Sequence, residues 1–74
     1  MNFSTYESLT LAEARILRLV LAGLSSKEIA IRLHRSVRTV EVHRQHIMQK
    51  LDAHNLVQLV QTATRMGLNE LQNT

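Results

Sequence analysis

The chain has 74 residues, enough for a single domain over residues 1–74 whose core buries about 60 to 65% of the unfolded surface. It has no Cys, which excludes disulfides and cysteine-based metal sites, and no apolar run approaches the length of a membrane span. Nine Lys and Arg against six Asp and Glu leave a formal net charge of +3, which favours an anionic partner.

Apolar residues recur with helical spacing along the chain, and no segment shows the alternation typical of a strand. The pattern predicts an all-α fold, a compact domain of four helices. The polar ends at residues 1–8 and 69–74 are expected to fray. The predicted helices span about residues 11–22, 27–33, 37–51 and 56–66.

Capping residues support these bounds. Thr10 with Glu13 three residues later is typical of a capping box at the start of the first helix, and Gly23 can end that helix. Small polar side chains precede the other three helices and can accept the unpaired amide protons of a first turn. These candidate N-caps are Ser25, Ser36 and Asn55.

The second and third predicted helices are separated by three residues, which is helix-turn-helix spacing. An ordinary helical hairpin is an equal alternative on spacing alone. The third helix has an apolar stripe that can seat it on a core. The stripe consists of Val40, Ile47 and Leu51, flanked by Val37 and His43.

The opposite side of the third helix carries side chains that can read base edges. Arg can donate to guanine, Gln can pair with adenine, Glu can accept from the cytosine amino group, and Val can contact the thymine methyl. A merely solvated face is the alternative interpretation. The candidate base-reading residues are Arg38, Glu41, Val42, Gln45 and Gln49.

Positive charge is concentrated around this helix. Residues 25–50 carry six Lys and Arg against two acids, a net charge of +4, whereas the rest of the chain is net negative. A DNA backbone attracts such a cluster, and donors beside a reading helix fix its register. The candidate phosphate contacts are Ser25, Lys27, Arg35, Thr39, His46 and Lys50.

The fourth predicted helix has more apolar residues than a small core needs. One face is expected to point into the core, and a second face remains outside it. The inward stripe is Leu56, Leu59, Val60, Ala63 and Met66, and the second face is Val57, Gln61 and Thr64.

An ordered set of residues resembles the LuxR/GerE-type helix-turn-helix family, and within it the FixJ and NarL response-regulator output domains. The resemblance covers about residues 9–64 without a gap. Many relatives have Lys where this chain has Glu41. The matching residues are Leu9-Thr10, Glu13, Ile16-Leu17, Ala22-Gly23-Leu24-Ser25, Lys27-Glu28-Ile29-Ala30, Leu33, Ser36, Thr39-Val40, His43, Ile47 and Lys50-Leu51.

The resemblance implies a bacterial transcriptional regulator, either free-standing or the output domain of a longer protein. Its third helix is expected in the major groove of double-stranded DNA. In the family the last helix pairs two domains about a twofold axis, so Val57, Gln61 and Thr64 become the candidate interface of a homodimer on two half-sites. An ordinary surface with one exposed valine is the alternative for that face.

No cofactor, metal site or enzymatic activity is expected. Four histidines lie between residues 34 and 54, but no Cys and no paired carboxylates accompany them in sequence. Glu28 is interpreted as an acid favoured by a helix start that can also orient Arg38 or Arg44. No nucleophile stands in a recognisable acid-base context, and the chain is short for a deep pocket.

A different class of function is the main alternative. The fourth helix, residues 56–66, would pair with other regulators or with RNA polymerase, and the domain itself would not bind DNA. Glu41 on the reading face favours this interpretation because a carboxylate repels phosphate. Residues 1–8 lack the basic and apolar parts of a signal peptide, so a cytoplasmic location without membrane contact is expected.

Overall fold

The structure, a computed structural model, describes residues 9–67. Within that range the chain forms helices and no strand, so the all-α prediction is confirmed. The helices are α1 (Leu11–Leu21), α2 (Ser26–Leu33), α3 (Val37–Lys50) and α4 (Leu56–Arg65). Their bounds differ from the predicted ones by at most one residue at each end. The ends expected to fray lie outside the described residues. None of the four helices is long and apolar enough to cross a membrane.

A side chain caps the start of each helix. At α1, Thr10 Oγ1 accepts a hydrogen bond from the Glu13 amide at 3.1 Å, and Glu13 Oε1 accepts from the Thr10 amide at 2.9 Å. The predicted capping box is therefore present. Each of the other caps accepts from the amide three residues later, which satisfies a donor that the first helical turn leaves unpaired. These caps are Ser25, Ser36 and Asn55.

Glu28 lies at a helix start as expected, but it makes no ion pair with an arginine within residues 9–67. Its Oε1 accepts from the Ser25 amide at 2.8 Å, and Ser25 Oγ accepts from the Glu28 amide at 3.2 Å. The two residues form a second capping box, and the hydrogen bonds from Ser25 lower the pKa of Glu28. The expectation that Glu28 orients Arg38 or Arg44 is corrected, because the carboxylate is already engaged in its own first turn.

The turn between α2 and α3 depends on a left-handed residue. His34 has φ 57° and ψ 45°, and the following amide, of Arg35, donates to the Ala30 carbonyl at 2.9 Å. A left-handed residue ends a helix and reverses the chain within one or two positions. The sharp turn lets α3 begin at Val37, directly after its cap at Ser36.

One core joins all four helices. The α3 helix packs against both α1 and α2, and α4 adds two side chains to the same cluster. Apolar burial of this kind is the main term that stabilises a small domain. The buried apolar residues are Ile16, Leu17, Val20, Ile29, Ala30, Val40, Ile47, Leu51, Ala53, Leu59 and Ala63.

Two details of the predicted core are wrong. On α4 only Leu59 and Ala63, at i and i+4, are buried, while Leu56 is 50% and Val60 42% exposed. The α4 helix meets the core along one narrow stripe, so a wider apolar band stays in solvent. Val37 is also exposed, because it lies in the first turn of α3 beside the polar turn, before the first buried position of that helix.

Candidate nucleic-acid interface

The α3 helix presents one face to the core and the other to solvent. Val40 and Ile47 are fully buried, at 0% and 1% exposure, and seat the helix on α1 and α2. Ser36 Oγ accepts from the Thr39 amide at 3.1 Å and donates to Thr39 Oγ1 at 2.9 Å. Because residues at helical spacing share a face, the side chains opposite the buried pair point outward together.

The five residues predicted to read bases are all exposed and line one shallow depression. The depression also includes four residues that the sequence analysis did not assign to it. We call the whole set the reading surface: Arg38, Glu41, Val42, Arg44, Gln45, Met48, Gln49, Ala53 and His54.

Two of the four additional residues are predictable from helical spacing, and the other two are not. Arg44 and Met48 lie three and seven residues after Glu41, so helical spacing alone places them beside it. Ala53 and His54 belong to the connection between α3 and α4, and only the folded chain brings them to this surface. His54 Nε2 also lies 3.9 Å from an oxygen of Asp52, an exposed pair that contributes little to stability.

Charge on the reading surface is not neutralised internally. Arg38, Arg44 and Glu41 make no ion pair within residues 9–67, where the acids that pair with cations are Glu13 and Asp52. The arrangement leaves guanidinium, carboxamide and carboxylate groups available for an external ligand. It combines both donors and acceptors, as base edges require.

Four of the candidate phosphate contacts lie at the start of α2, in the turn and in the first turn of α3. Ser25 and Lys27 belong to the start of α2, Arg35 to the turn, and Thr39 to the first turn of α3. Thr39 Oγ1 accepts from Ser36, which leaves its own hydroxyl proton to be donated. Lys27 and Arg35 are exposed and make no ion pair within the described residues.

Lys50 and His46 are directed at an internal acid, which the sequence analysis did not anticipate. Lys50 Nζ lies 2.7 Å from Glu13 Oε1, and His46 Nδ1 lies 4.0 Å from Glu13 Oε2. The Glu13 side chain is only 4% exposed, whereas those of Lys50 and His46 are 32% and 52% exposed. Lys50 therefore holds the end of α3 against the start of α1.

The surroundings of Glu13 keep it ionised. Burial by itself raises the pKa of a carboxyl group. Here the hydrogen bonds from Lys50 and the Thr10 amide, with the electrostatic influence of Lys50 and His43, outweigh burial and hold the pKa of Glu13 below its ordinary value. The cation and the amide donor offset the cost of burying this carboxylate, so loss of either would leave it poorly compensated.

The outer face of α4 is more apolar than predicted. Val57 is 65% exposed, and Gln61 and Thr64 are exposed as expected. Leu56 and Val60, which were expected inside, extend this face. We call these five residues the α4 face. Contiguous exposed apolar side chains of this kind are typical of an interaction site.

The chain is similar to several known proteins. Residues 7–63 match the family described as bacterial regulatory proteins, luxR family. The chain is 47% identical over 67 residues to the uncharacterized response regulatory protein YgeK of Escherichia coli K12, with 90% of this chain and 46% of that protein covered. It is 43% identical over 63 residues to the oxygen regulatory protein NreC of Staphylococcus carnosus, with 85% and 29% covered.

A solved structure has the same fold. The protein in the crystal structure of the phage VqmA-DPO complex aligns with a TM-score of 0.79 and 36% identity, covering 82% of this chain and 28% of that one. The chain spans less than half the length of each of these similar proteins. The family is one of regulators and not of enzymes. With a family match over residues 7–63 and a helix-turn-helix in place, this chain belongs to the luxR family of bacterial regulatory proteins.

Proposed function

We propose that this DNA-binding regulatory domain recognises a specific sequence in double-stranded DNA by inserting α3 into the major groove. The observation that carries the proposal is the reading surface, where Arg38, Glu41 and Gln45 are exposed on the side of α3 opposite the core. Their charged and polar groups are not used up by ion pairs within residues 9–67. An α-helix fits the major groove with such a face toward the bases.

Within the reading surface, the side chains divide by chemistry. Arg38 suits the two acceptors of guanine, and the carboxamides of Gln45 and Gln49 suit adenine. Val42 offers methyl groups for thymine, and Glu41 offers an acceptor for the cytosine amino group. Together they give α3 the capacity to distinguish all four bases over a few base pairs.

Backbone contacts are assigned to residues at the starts of α2 and α3. Arg35 and Thr39 lie next to the start of α3, and Ser25 and Lys27 lie at the start of α2. These two cations and two hydroxyls would hold phosphates. The Lys50 and His46 side chains are turned toward Glu13. We therefore propose that Lys50 positions α3. This proposal includes no phosphate contact by Lys50 or His46.

The domain is proposed to act as a homodimer on two half-sites through the α4 face. Leu56, Val57 and Val60 form an exposed apolar group, and a second copy would bury it. A twofold pair places two copies of α3 on the same side of the duplex, one helical turn apart. The α4 face carries no charged side chain, so like charges would not oppose each other across the twofold axis.

A protein-interaction module that does not bind DNA is the second candidate function. Two observations favour it: the exposed carboxylate of Glu41 on the reading surface, and the apolar α4 face. Its partners would be other regulators or RNA polymerase. In that case substitutions on the reading surface would not change the affinity for one DNA sequence relative to another.

One experiment separates these candidates. Duplexes that bind the chain are selected from a random library, and the affinity for the selected duplex and for a random duplex is measured over a series of salt concentrations. A DNA reader enriches a consensus and shows a steep negative slope of log affinity against log salt. A flat slope without enrichment would contradict the proposal and support the interaction module.

A further inference from the structure

Three side chains that can bind a metal meet between the start of α1 and the middle of α3. One oxygen of Glu13 and one ring nitrogen each of His43 and His46 all lie within 4.8 Å of one another. Oε1 of Glu13 accepts the hydrogen bonds from Lys50 and the Thr10 amide, whereas Oε2 faces His46 Nδ1 at 4.0 Å. Two imidazoles and one carboxylate thus lie close together at this point of the fold.

A second observation concerns one member of this cluster, His43. Nδ1 of His43 is buried and makes no hydrogen bond within the described residues. Buried polar atoms nearly always have a partner, and the exceptions are found where an ion, a water or a functional group completes the site. The residue lies on the face of α3 that packs on α1, one turn before His46.

We infer that Glu13, His43 and His46 bind one Zn²⁺ ion. Two imidazoles, one carboxylate and an open fourth position are a donor set that this cation takes in proteins. His43 and His46 are three residues apart on one helix, a spacing that puts both rings on the same side. The carboxylate comes from a different helix, so the ion links α1 to α3. This site is independent of the proposed DNA contacts.

The three ligand atoms must move slightly closer together to bind one ion. Zinc bonds of about 2.0 to 2.2 Å place the ligand atoms of a tetrahedral site about 3.3 Å apart, less than the separation of up to 4.8 Å. The half-exposed ring of His46 can rotate to close the gap. Lys50 on the other oxygen of Glu13 opposes the cation, so its removal should tighten binding.

The test is a Zn²⁺ titration of the untagged full chain by calorimetry, repeated with Co²⁺ to record its absorption spectrum. His46→Gln removes a ligand from a half-exposed position, and His54→Gln removes an exposed histidine outside the cluster as the matched control. Lys50→Met removes the competing cation. Circular dichroism confirms that each variant is folded before titration.

The expected result is one Zn²⁺ per chain, about tenfold or more weaker binding in His46→Gln, and unchanged binding in His54→Gln. Lys50→Met should bind more tightly, and Zn²⁺ should raise the unfolding temperature of the wild type more than that of His46→Gln. Equal affinities of the two histidine variants, or no binding by the wild type, would overturn the inference. If Lys50→Met does not fold, the comparison of His46→Gln with His54→Gln decides the test.

Discussion

Lys50 in the last turn of α3 places its ammonium nitrogen 2.7 Å from Oε1 of Glu13 in the first turn of α1. The same oxygen accepts the Thr10 amide at 2.9 Å, so one carboxylate both caps α1 and holds the end of α3. The tilt of the reading helix on its core is therefore coupled to the start of the first helix. Helix-capping and interhelical pairing are here a single arrangement.

The first prediction concerns this pair. Lys50→Met keeps the aliphatic stem but leaves the buried Glu13 carboxylate without its cation. We expect the free energy of unfolding, measured by urea denaturation, to fall by about 1 to 3 kcal/mol, less than for a fully buried pair because Lys50 is partly solvated. Arg38→Met is the control and should change it by less than about 0.5 kcal/mol. Equal effects would mean that the ion pair contributes nothing.

The second prediction is a pH dependence with a defined sign. The pKa of Glu13 is lower in the folded chain than its ordinary value of 4.5, so the unfolded chain binds the proton more readily. The stability that Glu13 contributes is fully present above the ordinary value and is lost as the pH falls through the folded pKa. Urea denaturation from neutral pH to about pH 3 should show the wild type losing its advantage over Glu13→Gln. A difference independent of pH would contradict this.

The third prediction tests base reading at Gln45. Gln45→Ala should cost about 1 to 3 kcal/mol of binding free energy on the selected duplex and little on a random duplex. Its carboxamide lies on the reading surface, where it would contact a base and not a phosphate. Titration of both duplexes measures the difference.

Arg35→Ala is the matched control for Gln45. This residue lies in the turn before α3, and its loss should weaken both duplexes alike and reduce the salt slope by about 1. If the Gln45 variant instead lost affinity equally on both duplexes, Gln45 would be a backbone contact.

The fourth prediction concerns Glu41, the acid on the reading surface. The carboxylate is exposed and makes no ion pair within residues 9–67, so it is available to an external ligand. Glu41→Gln should reduce discrimination while raising affinity for a random duplex, and Glu41→Lys should raise that affinity further with a steeper salt slope. Tighter binding of Glu41→Gln to the selected duplex with unchanged base preferences would favour the interaction module.

The fifth prediction addresses the α4 face. Val57→Glu places like charges opposite each other across a twofold interface and should lower affinity for a full operator, with little change on a single half-site. Leu11→Glu is matched in exposure, 67% against 65%, but lies on α1. Sedimentation with and without DNA should show loss of the dimer only for Val57→Glu. A monomeric wild type on the full operator would remove the dimer from the proposal.

Sequence alone was sufficient for the features that depend on neighbours within about four residues. The capping box of Thr10 and Glu13, the cap at Ser36 and the helix bounds all follow from local hydrogen bonds. The exposed face of α3 follows in the same way, because Val40 and Ile47 leave only one side of that helix for solvent.

Tertiary structure decided what depends on how the helices pack. Leu56 and Val60 are exposed because α4 meets the core along one stripe, which no periodicity within α4 reveals. The sequence places four histidines between residues 34 and 54 without paired carboxylates, and only the packing of α1 on α3 brings Glu13 to His46. Contacts across 37 residues, such as that of Lys50 with Glu13, arise from the shared burial of apolar surface, and local spacing carries no record of them.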